Sequence, residues 1–444
     1  DILIKNKTLE FNKNKKFIKV ELLKNLKVVI VGGGFVGINA AKILSRSKII
    51  QLTIIDRSNH HLFQPLLYQV ATAGLSPAEI AVPIRSLFSE RENVKVVKDE
   101  ILSVHANKNI AKGKYGEYDY DYLIMAAGAT HNYFGKEEWE INAPGLKTLA
   151  QATEIRKRIM NAFEKAEIEK NTEECKKLLT FVVVGGGPTG IELAGAIGEM
   201  TRFTLARDFR RINPKFTRII LLEASNRILS SFDETLSSIA TRDLESIGVQ
   251  VWTQSMVSKV TKDFVEVGNE KIYSSTVIWA AGVKASKIGQ SMNTDLDQLG
   301  RIKVKKDLSL PKYKNVFVAG DQACFYGKNG RPLPSIAPVA MQQGKHIARN
   351  ILNELDSKPR KNFAYLDKGQ MATIGRKRAI VEVKGIRFGG FVAWIAWLFI
   401  HIFYLSGFKN RLIVLIQWGY SYFSFARGAR LIIDRDWRSF ANNK

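Results

Sequence analysis

Cysteine is almost absent from this 444-residue chain: Cys175 and Cys324 are the only two. That excludes a disulfide scaffold, a cysteine zinc site and a CxxC redox pair. The six histidines show no HxxxH or HExxH spacing, and no EF-hand loop occurs, so no metal site is expected. Acidic residues are scarce beside basic ones, 42 against 67, leaving a formal charge of +25. Such a surplus favours anionic surfaces, nucleic acid or anionic lipid, although Lys-Asn runs account for part of it. Sustained hydrophobicity is also lacking, since the mean hydropathy is −0.10, which argues against a multi-span membrane protein. The 45% apolar and 25% charged fractions are those of a globular chain, and the length suits two or three domains. No secretory signal opens the chain. Residues 1–24 are Lys/Asn-rich and are expected to be a flexible tail, and the missing initiator Met suggests a trimmed or partial N-terminus.

From Lys27 onward short β-branched runs alternate with helical stretches. Strands are expected at Val28–Val31 and Leu52–Ile55 with a helix at Gly37–Ser45, giving the β-α-β pattern of a parallel sheet. The pattern restarts at Leu179–Val184, after a charged helix over about 151–170. Both units open on a glycine motif. In the first, Gly32, Gly34 and Gly37 follow a strand and enter a helix, and Asp56 ends the next strand 19 residues after Gly37. Glycines there allow a tight turn, close approach to a pyrophosphate and helix-on-strand packing, while the acid bonds ribose hydroxyls. The second motif has Gly185, Gly187 and Gly190, with Glu223 at the end of its next strand. The interval of 33 residues exceeds the usual ~20, and an insertion at about Phe209–Phe216 accounts for it. A carboxylate at Glu223 repels a 2′-phosphate, so NADH is expected over NADPH, although Arg227 lies near enough to blur that preference. The runs Tyr120–Gly128 and Val277–Val283 are strands ending in small residues, and Val316–Asp321 ends in Gly-Asp.

In this order the motifs resemble the two-dinucleotide-binding-domain flavoproteins. Within them the chain resembles the type II, non-proton-pumping NADH:quinone oxidoreductases. The discriminating stretches are His60–Pro77, Gly187–Met200, the helix around Met341–Gly344, and the aromatic tail. The fold implied is α/β, with two Rossmann-like domains and a C-terminal helical membrane-anchoring segment. The expected FAD-binding domain is discontinuous, 25–148 and 270–388, with an NADH-binding domain at 149–269 and amphipathic anchoring or dimerisation helices at 389–444. The resemblance implies non-covalent FAD held by Gly32, Gly34, Phe35, Val36, Gly37, Asp56 and Arg57, with Pro65, Leu66 and Val97 beside them. Ala127, Gly128, Gly320, Asp321 and Ala340 complete that set. NADH, as substrate, is assigned to Gly185, Gly187, Pro188, Thr189, Gly190, Glu223, Ala281 and Gly282.

Glu192 is the first of three catalytic candidates. The first motif has Asn39 at the equivalent place, so the fold itself does not demand a carboxylate. Glu192 serves either the helix dipole in a first turn or, as the resemblance implies, the nicotinamide, the flavin and proton relay to quinone. Gln342 and Gln343 lie on an expected helix Pro338–Leu355, whose N-terminal dipole would favour negative charge on the flavin, and are placed near the quinone. The family's A-Q-x-A-x-Q pattern is altered here, with Pro338 in place of the first glutamine. Lys377 is a weaker basic candidate, more simply a surface lysine. Cys175 and Cys324 are expected to be unpaired structural thiols.

From Phe388 to Phe425, 13 of 38 residues are aromatic. One apolar helix is expected over Phe391–Phe408, a break at Lys409–Arg411, a second apolar stretch over Leu412–Phe425, and a basic end with Arg427, Arg430, Arg435 and Arg438. Eighteen helical residues reach about 27 Å, short of the roughly 30 Å hydrocarbon layer. Trp394, Trp397 and Trp418 with flanking basic residues favour an interfacial helix. The expected partners are therefore a membrane quinone, an anionic lipid surface and a second copy in a homodimer, not nucleic acid. The expected location is the cytoplasmic face of a bacterial inner membrane. The alternatives are a soluble flavin-dependent NAD(P)H reductase of a small redox partner, a sulfide:quinone oxidoreductase, and a flavin-bearing nucleic-acid binder. The first leaves the aromatic tail without a purpose, the second needs a cysteine pair at the flavin, and the third lacks any nucleic-acid-binding motif.

Overall fold

The computed structural model describes residues 26–206, 208–424 and 427–432. The expected N-terminal tail, Arg435 and Arg438 lie outside the described residues. Contacts divide the chain into two compact units. Unit 1 takes residues up to 61, 83–130 and 283–367, and unit 2 takes 62–82, 131–282 and 368–444. These limits differ from the boundaries expected for the two nucleotide domains: residues 62–82 and the whole C-terminal segment from 368 group with the second glycine motif. The functional residues ride on helices α1 (Phe35–Leu44), α2 (Pro188–Glu199), α3 (Ala337–Leu355), α4 (Phe391–Tyr404) and α5 (Phe408–Ser424).

Unit 1 is built on a five-stranded sheet in the order Val316–Val318, Tyr122–Met125, Leu26–Val31, Ile50–Asp56, Val94–Lys98. Every pairing is parallel. The three central strands are mostly apolar because both faces of the sheet are covered. On one face Val28, Ile30, Leu52 and Ile54 join Val36, Ala40 and Leu44 of α1 and Ile347 and Ile351 of α3. On the other, Val29, Val31, Leu123 and Met125 pack on Val104, Ala111 and Leu310. Helix α3 rests directly on α1, since a Cβ on Gly344 would lie 2.4 Å from the Val36 carbonyl oxygen.

Unit 2 repeats the plan with a four-stranded parallel sheet ordered Val249–Trp252, Arg218–Leu222, Thr180–Val184, Thr276–Trp279. It adds an antiparallel three-stranded sheet, Gln370–Gly375, Arg378–Val383 and Ile386–Gly389. Gly195 of α2 sits against the first of these strands, where a Cβ would lie 1.9 Å from the Ile374 carbonyl oxygen. The tail corrects one expectation. The chain breaks at Leu405–Gly407, not at Lys409–Arg411, which lie inside α5. The reason is local: Leu405 is extended and Gly407 has φ +87°, a conformation that side chains resist. The two helices have 14 and 17 residues, about 21 and 25 Å. Among the described residues no helix is long and apolar enough to cross a membrane.

Gly344→Ala is expected to destabilise the protein by about 1–3 kcal/mol through overpacking against a backbone oxygen, outweighing the ~1 kcal/mol gain in helix propensity. Gly419→Ala in α5, where an added Cβ meets nothing within 4 Å, keeps the gain alone. Paired denaturant titrations check the opposite signs.

Candidate active site

The two glycine turns are near copies. Gly32 and Gly185 both have φ +109°. Added Cβ atoms on Gly37 and Gly190 would lie 1.9 and 1.8 Å from the Gly32 and Gly185 carbonyl oxygens, so each helix is seated on its turn. Gly34 and Gly187 cap α1 and α2 without any side-chain bond, and an added Cβ there meets nothing, which leaves both helix N-termini open. Neither helix has an acid in its first turn. Two uncapped helix N-termini beside open backbone are what a pyrophosphate requires.

The acids behave alike as well. Asp56 Oδ2 accepts from the Gly33 amide at 2.6 Å and Oδ1 from the Ser58 amide at 2.6 Å. Glu223 accepts from the Gly186 amide at 2.6 Å and the Ser225 amide at 2.8 Å. Burial lifts the Asp56 carboxyl above its ordinary range, against the pull of its amide bonds. Arg227, the residue that blurred the coenzyme preference, is tied down. It donates to Phe232 O at 2.8 Å, Ser237 Oγ at 2.7 Å, Ser230 O at 3.1 Å and Leu229 O at 3.5 Å.

In unit 1 the expected FAD residues converge. Gly320, at φ +69°, would place a Cβ 2.8 Å from Val36 Cγ2 and 3.6 Å from Ala340 Cβ. Gly32 lies against Ala126 O, beside Ala127 and Gly128. Phe35 meets His61 edge-on at 5.4 Å, Arg57 follows Asp56, and Val97 pairs with Ile55. Asp321 follows Gly320 in a short 3-10 turn. Pro65 and Leu66 belong instead to unit 2, in a 3-10 turn before Tyr68. Burial drops His61 to about 4, so it stays neutral at the Gly33 carbonyl, with Nδ1 2.9 Å away. The uncapped α1 turn, with Gly128 and Gly320 both at positive φ, fits FAD. In unit 2, Gly185 presses on Ala281, whose Cα lies 2.7 Å from an added Cβ, and Gly282 follows at φ +148°. Pro188 and Thr189 open α2.

The three catalytic candidates separate. Gln343 is buried, and its Oε1 accepts from the Gly320 amide at 2.7 Å. Gln342 clamps the Leu366 backbone, donating to its oxygen at 2.9 Å and accepting from its amide at 3.0 Å. Both therefore hold the backbone of unit 1. Glu192 lies beyond the first turn of α2, so serving the helix dipole does not explain it. It lines an open cavity within unit 2.

Glu192, Ala196 and Glu199 form one face of α2 and one wall of this cavity. Tyr68, Gln69, Trp394, Trp397, Trp418, Tyr422 and Arg427 supply much of the rest. Trp418 Nε1 donates to Gln69 Oε1 at 2.8 Å, and Gln69 Nε2 donates to the Tyr68 hydroxyl at 3.0 Å. Arg427 donates to Thr72 O at 2.8 Å and pairs with Glu199 at 3.8 Å. Glu199 also accepts from the Arg376 amide. The Arg376 guanidinium stands 4.8 Å from the Tyr422 ring centre, and Lys377 only flanks that ring at 5.4 Å. Trp397 is buried, and its Nε1 finds no acceptor among the described residues. Low polarity raises the Glu192 carboxyl to about 8, with one opposing bond from the Thr373 amide at 3.5 Å. It also raises the Tyr68 hydroxyl and lowers His401, stacked 4.1 Å from Trp397, to about 4.

Sequence reasoning missed Glu199, Tyr68, Gln69, Arg376 and Arg427 as a group. Glu192 and Glu199, seven apart on a helix otherwise made of small apolar residues, were a usable signal. Arg427 gave none, being one arginine among several at a basic end.

Comparison with known proteins fits this geometry. A family described as pyridine nucleotide-disulphide oxidoreductase matches residues 26–344, and an NDH2 C-terminal domain matches 368–427. The type II NADH:quinone oxidoreductase Ndh of Mycobacterium tuberculosis is 39% identical over 434 residues, covering 94% of this chain and 92% of that protein. The type II NADH:quinone oxidoreductase of Staphylococcus haemolyticus is 29% identical, covering 81% and 90%. The structure of NDH2 from Plasmodium falciparum in complex with NADH superposes with a TM-score of 0.84 at 20% identity, covering 92% of this chain and all of that one. The chain is thus a pyridine nucleotide-disulphide oxidoreductase in class. Within that class it belongs to the type II NADH:quinone oxidoreductase family.

A carboxyl at about 8 when folded and near its ordinary 4.5 when unfolded binds its proton in the folded state alone between those values. Stability contributed by Glu192 therefore falls as pH rises from about 4.5 to about 8 and levels off above. Glu192→Gln is expected to remove this slope, gaining on the parent at pH 9 relative to pH 5 in urea titrations.

Proposed function

We propose that the chain oxidises NADH and reduces a membrane quinone through three sites carried by its own elements. FAD is assigned to the open α1 turn of unit 1, with Asp56, Gly320 and Asp321 along its length and Gln343 fixing the Gly320 turn. NADH is assigned to the α2 turn of unit 2 with Glu223. Quinone is assigned to the aromatic cavity. FAD, when bound, supplies the hydride acceptor and the path for two electrons. The net change is NADH plus quinone plus one proton giving NAD⁺ and quinol. One observation carries the reading: the Glu192 carboxyl, raised to about 8, stands in the wall of a cavity that it shares with Tyr68, Trp394, Trp397, Trp418 and Tyr422. Glu192 holds a proton there at neutral pH and can release it to a developing quinol oxygen. The Trp418–Gln69–Tyr68 chain fixes the ring wall.

Helices α4 and α5 carry exposed apolar side chains at helical spacing. Val392, Phe399 and Phe403 lie on one, and Phe408, Leu412, Leu415, Ile416 and Phe423 on the other. Helices too short to span with such faces suit a bilayer interface, where a lipophilic quinone is available. The protein is accordingly read as peripheral to the membrane.

Anaerobic NADH is expected to bleach the flavin absorbance of the purified protein, and a short-chain quinone to restore it. Failure of either half refutes the reading. Arg427→Leu and Trp418→Ala are expected to raise KM for quinone about tenfold, a change of ~1.4 kcal/mol, while bleaching by NADH is unchanged. Glu223→Gln keeps an acceptor for the Gly186 amide but removes the charge. It is expected to raise kcat/KM for NADPH relative to NADH, measured side by side.

A further inference from the structure

Between α2 and the strand Arg218–Leu222, unit 2 carries a segment, residues 200–217, that neither the nucleotide turn nor the cavity explains. It contains five basic residues and one acid. A single wide turn, Met200–Thr204, opens it. The Glu167 carboxylate then gathers the amides of Arg210, Arg211 and Ile212 at 2.9, 3.0 and 3.2 Å. Phe209 stacks on Phe163 with ring centres 5.8 Å apart, and Asn213 accepts from the Lys215 amide at 3.1 Å. The segment is thus a shaped projection. Its one acid, Asp208, pairs with Arg430, which follows α5. The arginines at 210 and 211 and Lys215 are exposed, and so are Phe203 and, at 83%, Phe216. Ile168 and Leu431, next to the two anchoring residues Glu167 and Arg430, are 75% and 72% exposed.

We propose that the surface carried by Phe203, Arg210, Arg211, Lys215 and Phe216 forms a second membrane-contact element, which takes the headgroups of anionic phospholipid while Phe203 and Phe216 enter the interface. The inference rests on the interfacial reading of α4 and α5. Two observations commit it to lipid. With Asp208 paired to Arg430 and the Glu167 carboxylate taken up by backbone amides, the side-chain charge that the described part of the segment exposes is mainly positive, complementary to an anionic surface. The Arg430 link makes the segment continuous with the tail whose apolar faces are already assigned to the bilayer. Exposed aromatic rings beside Lys and Arg are the residue set that interfaces favour.

The test uses full-length, flavin-loaded protein with Cys175 replaced by Ser, leaving buried Cys324 as the other thiol. Phe216→Cys, Phe423→Cys and Met256→Cys each carry an environment-sensitive fluorophore. Met256 is an exposed position away from both elements in sequence. Phosphatidylcholine vesicles with and without phosphatidylglycerol are added. The expected result is a blue shift and quenching by brominated acyl chains at 216 and 423, strengthened by phosphatidylglycerol, and none at 256. Lys215→Ser is expected to weaken partitioning into the anionic vesicles about fivefold. If 423 responds while 216 stays in water like 256, the proposal fails and the tail reading stands. If neither responds, both fail. If 216 shifts with protein concentration but not with vesicles, the surface belongs to a second copy of the chain, and the proposal is again overturned.

Discussion

Both halves of this chain depend on a backbone approach that leaves no room for a side chain. At Gly37 and Gly190 the helix lies on the carbonyl of its own turn, closer than any Cβ permits. That seating points the helix N-terminus at the end of the sheet. It also brings Asp56 and Glu223 onto the amides of Gly33 and Gly186. The acids thus complete the turns. One contact, made twice, seats both helices with their N-termini open.

The parallel sheets, the two glycine turns and their acids were legible in the sequence because each rests on local chemistry: a β-branched run, a glycine at a forced turn, a carboxylate at a strand end. The helix ends followed from the same rules, so that Pro338 indeed lies in the first turn of α3. The cavity was legible only in part. Glu192 announced itself, since the matching position in the first motif is Asn39. Its companions did not, because Tyr68, Arg376 and Arg427 are brought together from three distant stretches by tertiary packing alone. The glutamines carry a task that motif position did not signal: their side chains hold backbone, Gln342 that of Leu366 and Gln343 that of Gly320. The break in the tail was misplaced because charged residues were weighed above Gly407, whose backbone conformation decides it.

Charge and apolarity are distributed with a common logic in unit 2. Inside the cavity wall, burial displaces several ionisable groups from their ordinary behaviour: Glu192 and Tyr68 upward, Arg376 and Arg427 downward. Outside, the helices that build this wall turn their remaining apolar residues outward. The same two helices therefore face inward as pocket and outward as contact surface.

The four bonds of Arg227 have a consequence for how the protein could evolve. In many dinucleotide folds a nearby arginine allows a change of coenzyme by a single replacement of the acid. Here that arginine closes the Ile228–Phe232 bend, and freeing its guanidinium would take the donor from the carbonyl oxygens of Ser230 and Phe232. Selection for the phosphorylated coenzyme would have to rebuild a turn as well as exchange a charge.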